Sequence, residues 1–179
     1  RRLMMLDCSD SSGRPLSEKI LRRPLLLERI RGYVGDPIQA HMVCFNSTWL
    51  ERTLAVRLGI PLYANDPELN TLGTKSGCRE VFRDAGILFP DGFENLRDQN
   101  DMADALVELA VLNPNIKRAV VKLNDGFSGE GNALFYYEGT EAFDAIEHKK
   151  KILAALPALQ FEATFEHWES FREKYQEMG

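Results

Sequence analysis

Cysteine is scarce in this sequence, and none of it sits in a reactive pattern. Cys8, Cys44 and Cys78 are odd in number, far apart and without a Cys-x-x-Cys pair. That argues for reduced thiols and against a disulfide framework or a zinc site. No apolar run approaches the roughly 18 residues that a membrane-crossing helix needs. The longest apolar clusters, residues 3–6 and 25–27, are core-sized, and Asp7 interrupts the first before it could serve as a signal-peptide core. Positive charge is also in short supply: 22 Lys and Arg stand against 27 Asp and Glu, a net charge of −5. That balance disfavours a nucleic-acid binder, which carries a basic face. Histidine is limited to His41, His148 and His167, with no metal-ligand spacing. Repeats and low-complexity tracts are absent. With 44% hydrophobic and 27% charged residues, the composition is that of an ordinary globular chain. The expectation is a cytoplasmic α/β protein without nucleic-acid or membrane partners.

The 179 residues allow one medium domain or two small ones. In the first part, apolar residues 2–6 read as a strand that ends in a polar loop, residues 7–13. Residues 17–23 and 25–34 read as helices, with Pro24 in the first turn of the second. Residues 41–45 and 60–64 read as two more strands. Between them, Thr48 stands three positions before Glu51 as a capping box, and Leu50, Leu54 and Leu58 recur on one face up to Gly59. Alternating strands and helices point to a small Rossmann-like parallel sheet. No Gly-x-Gly-x-x-Gly follows the first strand, so no dinucleotide is assigned.

The best boundary lies at residues 69–73, giving domains of 1–70 and 71–179. In the second part, residues 74–85 read as a helix whose inner face carries Cys78, Val81, Phe82 and Ala85. A second helix covers 101–112. Strands are expected at 118–123 and 131–137. Thr140 is expected to cap a helix that runs to about residue 156. Thr164 is expected to cap another, with Trp168, Phe171, Tyr175 and Met178 on one stripe.

Chemistry concentrates at two points. The segment Lys122-Leu-Asn-Asp-Gly-Phe-Ser-Gly-Glu-Gly-Asn132 joins two strands through three glycines and a serine. Such a turn can aim successive backbone N–H groups at an anion, because no side chain blocks the approach. Lys122 is flanked by apolar residues, so it either meets an anionic partner or lies on the wet face of a half-buried sheet. No Gly-Lys-Ser/Thr follows, which excludes a Walker A loop. The second point is Gly73-Thr-Lys-Ser-Gly77, a helix start with Thr74 as N-cap, where a first turn can receive an anion. Lys75 there opposes the helix dipole unless a negative ligand is shared.

Together these two motifs resemble the ATP-grasp superfamily. Lys75, eleven residues before Gly86, looks like its first nucleotide lysine. Val120-Val121-Lys122, nine residues before Gly131, looks like its second lysine strand and glycine-rich flap. More narrowly, residues 73–133 resemble the peptide-ligase-like branch. The resemblance implies a pre-ATP-grasp Rossmann-like domain followed by part of an ATP-grasp α+β lobe, with its Gly-rich loop between two antiparallel strands. It further implies ATP and Mg²⁺ as cofactors, with Lys75 and Lys122 on the phosphates and Ser128, Gly129 and Gly131 in the flap. Small-molecule carboxylate and amine substrates would be joined through an acyl phosphate. The alternative is a non-catalytic nucleotide-binding or scaffold module. Asp125 and Glu130 put negative charge into the loop, so they must turn outward or contact metal. Glu162 and Glu166 lack the context of metal ligands. The chain is read as a fragment whose partner is the remainder of its own polypeptide. The Mg²⁺ ligands are expected beyond residue 179, and the fragment alone is expected to be inactive.

Overall fold

The computed structural model describes residues 3–126 and 129–178. It is a mixed α/β chain that divides into two compact units, residues 1–71 and 72–179.

In the first unit, short helices α1 (Leu16–Leu21) and α2 (Pro24–Val34) precede β1 (Met42–Val43), α3 (Trp49–Leu58) and β2 (Leu62–Tyr63). Pro24 occupies the first turn of α2, where its missing N–H costs no hydrogen bond. The capping box forms: Thr48 accepts from the first turn of α3, and the Glu51 carboxylate returns to the Thr48 backbone at 2.9 Å. Gly59 closes α3 in the left-handed conformation. β1 and β2 pair in parallel, Met42 opposite Leu62. Leu27, Leu54 and Leu58 form the core of this unit.

Among the described residues, the segment at the chain start is not a strand, contrary to the reading of residues 2–6. Leu3 is 73% and Met5 80% exposed. Apolar residues hold a strand only where a neighbouring ladder accepts their backbone. Here the chain turns away instead: Asp7 accepts from the Ser9 N–H at 2.8 Å, and Ser9 has φ 51°. The strands expected at 41–45 and 60–64 shorten to two residues each.

In the second unit, α4 (Lys75–Asp84) and α5 (Gln99–Leu112) precede the antiparallel strands β3 (Arg118–Lys122) and β4 (Asn132–Tyr136). These are followed by α6 (Ala145–Ala155), β5 (Gln160–Phe161) and α7 (Trp168–Met178). The sheet order is β3-β4-β5, with Lys122 opposite Asn132 and Ala133 opposite Phe161. Alternation along β3 and β4 buries Ala119, Val121, Ala133 and Phe135 on one face. Met102 and Leu106 of α5, Ile152 of α6 and Phe171 of α7 complete that core. The buried Tyr137 hydroxyl donates to the Leu106 carbonyl at 2.9 Å, and burial pushes its pKa up to about 12.

Three local expectations change here. Thr140 is buried and turns its hydroxyl to the Tyr137 carbonyl at 2.7 Å, so Asp144 caps α6 instead. α7 begins at Trp168 rather than after Thr164, because a turn closed by the Glu166 N–H on the Ala163 carbonyl intervenes. The inner face read into α4 is shallow: Gly77 is its only buried residue among those described, while Val81 is 41% exposed.

Candidate functional site

The second unit contains a cavity of about 990 Å³. Its walls are the first turn of α4, the strap of residues 90–96, the inner face of α5 and strand β3. Met102 and Leu106 form apolar floor, while Lys75, Arg79, Arg118 and Lys122 bring cationic side chains to its lining.

Thr74 starts α4 and fixes where Lys75 points. Its hydroxyl accepts from the Gly77 N–H at 3.1 Å, and its carbonyl accepts from Cys78. Asn124, just past β3, takes the remaining donors of the turn. Its carbonyl accepts from the Lys75 N–H at 3.2 Å, and its side-chain oxygen accepts from the Ser76 N–H at 2.9 Å. The first turn of α4 therefore offers no spare backbone N–H to an anion, which corrects the reading of that turn as an anion site. What remains is the Lys75 ammonium, which donates to the Gly126 carbonyl at 3.3 Å.

Lys75 is half-buried, and its pKa lies below the ordinary lysine value. Burial is the main cause, the nearby positive charge of Lys122 adds to it, and Asp125 partly offsets both. Lys122 lies on the open face of the sheet, in the exposed row Arg118, Val120, Lys122. Its place in the strand is thus the wet-face alternative, and burial does not oblige it to find a partner. Among the described residues, no carboxylate lies within ion-pairing distance of Lys75, Arg118 or Lys122. The structure therefore brings two positive charges, 47 residues apart in the sequence, to one cavity, and among the described residues no carboxylate is paired to either.

Gly129 and Gly131 are not among the lining residues. Both have positive φ, 84° and 79°. A Cβ on Gly129 would meet the Glu162 carboxylate at 2.8 Å, and one on Gly131 would meet the Leu123 side chain at 2.8 Å. Their glycine identity is explained by backbone conformation and close approach within the hairpin. Ser128 lies outside the described residues. Glu162 accepts from the Asn132 amide at 2.9 Å, and Glu166 is paired with Lys174 and Ser170.

Two groups escaped the sequence reading. Arg79 fastens the strap to α4, donating to the Pro90 carbonyl at 2.9 Å and the Gly92 carbonyl at 3.0 Å, pairing with Glu94, and covering the Phe89 ring at 4.7 Å. Asn124 joins two segments 48 residues apart. Asn-Asp-Gly advertises a turn, and nothing local shows which helix that turn will grip.

A family model described as IQCH-like, ATP-grasp matches residues 67–153. The IQ motif-containing protein H of Danio rerio is 28% identical over 111 residues, which covers 62% of this chain and 10% of that protein. The chain thus spans about a tenth of the length of that relative. No solved structure matches.

Proposed function

Residues 67–153 belong to the ATP-grasp superfamily, and from that premise we propose that the cavity of the second unit receives the phosphates of ATP between Lys75 and Lys122. The observation that carries this reading is that Lys75 and Lys122 line one cavity and, among the described residues, neither is paired with a carboxylate; the lowered Lys75 pKa agrees with it. Two ammonium groups that repel across an open cavity are stabilised by a polyanion placed between them. Phosphoryl transfer depends mainly on positioning and on neutralising the moving charge, which such cations supply. The apolar floor suits the flat base of the nucleotide, leaving the phosphates at the cationic mouth.

In the whole protein, this lobe serves an ATP-dependent ligase that joins a small-molecule carboxylate to an amine through an acyl phosphate. The first unit is the pre-ATP-grasp domain of that enzyme. ATP supplies the phosphoryl group when bound. Lys75 and Lys122 hold its oxygens, Arg79 keeps the strap against the cavity, and Gly129 and Gly131 carry the hairpin turn. Among the described residues, no three His, Cys, Asp or Glu side chains converge as metal ligands. No step is therefore routed through magnesium. A second reading is a nucleotide-binding or scaffold module without turnover, in line with a relative that is named for an IQ motif.

Two measurements test these readings. Calorimetric titration of ATP should show binding that weakens about tenfold or more in Lys122→Ala, the loss of a charge-assisted contact. ADP release by the full-length protein, assayed against a panel of carboxylates and amines, separates ligase from module. Binding with turnover supports the first, and binding without turnover supports the second.

A further inference from the structure

Asn124 stands two residues beyond Lys122 and grips the helix start that carries Lys75. The contact is double: its backbone carbonyl takes the Lys75 N–H at 3.2 Å, and its side chain takes the Ser76 N–H at 2.9 Å. Both donors belong to the exposed-donor end of a helix, whose groups need partners from outside the helix. Thr74 supplies the partners for the next two N–H groups from within the same turn. Asn124 alone supplies them from across the fold.

A second observation gives this grip its consequence. β3 carries Lys122 at its end, and the Leu123 N–H donates to the Gly131 carbonyl at 2.8 Å, fixing the strand end in the hairpin. Any shift of α4 relative to that strand end must break the Asn124 contacts, along with the Lys75 contact to the Gly126 carbonyl. The α4 face offers little apolar burial that could hold the helix by packing, since Gly77 is its one buried residue among those described. A polar clamp therefore does what a hydrophobic seam does elsewhere in this unit.

We propose that Asn124 is a positioning residue that sets the separation of the Lys75 and Lys122 ammonium groups, and through it the affinity of the cavity for a polyphosphate. This inference rests on the nucleotide reading for its ligand, but the clamp itself is independent of any ligand. Asn124 touches no phosphate in this account; it acts through the two lysines. Alanine at 124 keeps the backbone carbonyl that accepts from the Lys75 N–H, whereas the Ser76 N–H loses its side-chain acceptor.

The test uses the 179-residue chain in two arms. In the first, competitive acylation with mass-spectrometric readout gives the titration of Lys75, with and without Lys122→Gln, in the wild-type chain and in Asn124→Ala. Removing the Lys122 charge should raise the Lys75 titration in the wild-type background. In the Asn124→Ala background that rise should shrink by more than half, and in Asn124→Asp, which keeps an acceptor for Ser76, it should persist. Should Asn124→Ala fail to fold, Asn124→Ser replaces it, since its shorter hydroxyl does not reach the Ser76 N–H. An equal rise in the wild-type and Asn124→Ala (or Asn124→Ser) backgrounds, or no rise in the wild-type chain, overturns the proposal. In the second arm, inorganic tripolyphosphate is titrated calorimetrically, and affinity should fall about fivefold to tenfold in Asn124→Ala. Unchanged affinity in that variant also overturns it. If the wild-type chain binds no tripolyphosphate, the nucleotide reading fails, and the first arm still decides whether the clamp couples the lysines.

Discussion

The ammonium of Lys75 donates to the carbonyl of Gly126 at 3.3 Å across 51 residues of sequence. That contact ties the start of α4 to the glycine-rich turn after β3. It also holds a cation at the mouth of a cavity that Lys122 shares. The same lysine is thus a structural tether and the candidate phosphate ligand, and its energetics follow from that double position.

Stability should rise with pH below the ordinary lysine range because of Lys75. Its folded pKa lies below the unfolded value, so between the two the unfolded chain binds more protons. The cost of charging a half-buried ammonium is therefore relieved as pH climbs through that window. Urea midpoints taken across it should climb in the wild-type chain, and the slope should flatten in Lys75→Gln.

Gly131→Ala should be far more damaging than Gly139→Ala. Both positions have positive φ, 79° and 80°, which costs an L-residue about 1–2 kcal/mol. A Cβ on Gly139 meets nothing within 4 Å, whereas one on Gly131 overlaps Leu123 at 2.8 Å. The overlap adds roughly 1–3 kcal/mol. Denaturant unfolding of the two variants checks the difference.

Arg79→Lys should loosen residues 90–96 without unfolding the unit. The guanidinium serves two strap carbonyls, the Glu94 carboxylate and the Phe89 ring at once. A lysine ammonium is a point charge and cannot match that planar fork. Hydrogen exchange of the strap amides should accelerate while the β3 and β4 amides keep their protection.

Acid should weaken the α7 end of the second unit through Glu166. Burial pushes its carboxyl up, but hydrogen bonds from Lys174 and Ser170 and the Lys174 charge outweigh that and hold it below the ordinary carboxylate value. The stabilisation is complete above the unfolded pKa of about 4.3 and is lost as pH falls through the lower folded value. Glu166→Gln should flatten that acid limb in thermal melts recorded below pH 5 or thereabouts.

Features governed by near neighbours in sequence were legible before any coordinates. Thr48 with Glu51, Pro24 at the start of α2 and Gly59 after α3 each act within one turn, so their residue types announce them. The paired strands around the glycine-rich turn were legible for the same reason, since alternation in β3 and β4 is a local pattern. What escaped depends on distant partners. The apolar run at residues 3–6 has strand composition but no ladder to join. β5 is only two residues long and exists because Ala133 and Leu134 offer β4's free edge. The Asn124 clamp and the Arg79 strap reach 48 and up to 15 residues away, and no periodicity encodes either. Lys75 and Lys122 are linked in the sequence only by a family resemblance, and the cavity they share is a product of tertiary folding.

Titration of ATP into the wild-type chain and into Lys75→Ala, Lys122→Ala and the double variant bears most directly on the central claim. Saturable binding is predicted, weakened in each single variant, with the two losses non-additive because both ammonium groups serve one polyanion. Equal affinity in all four proteins would contradict it.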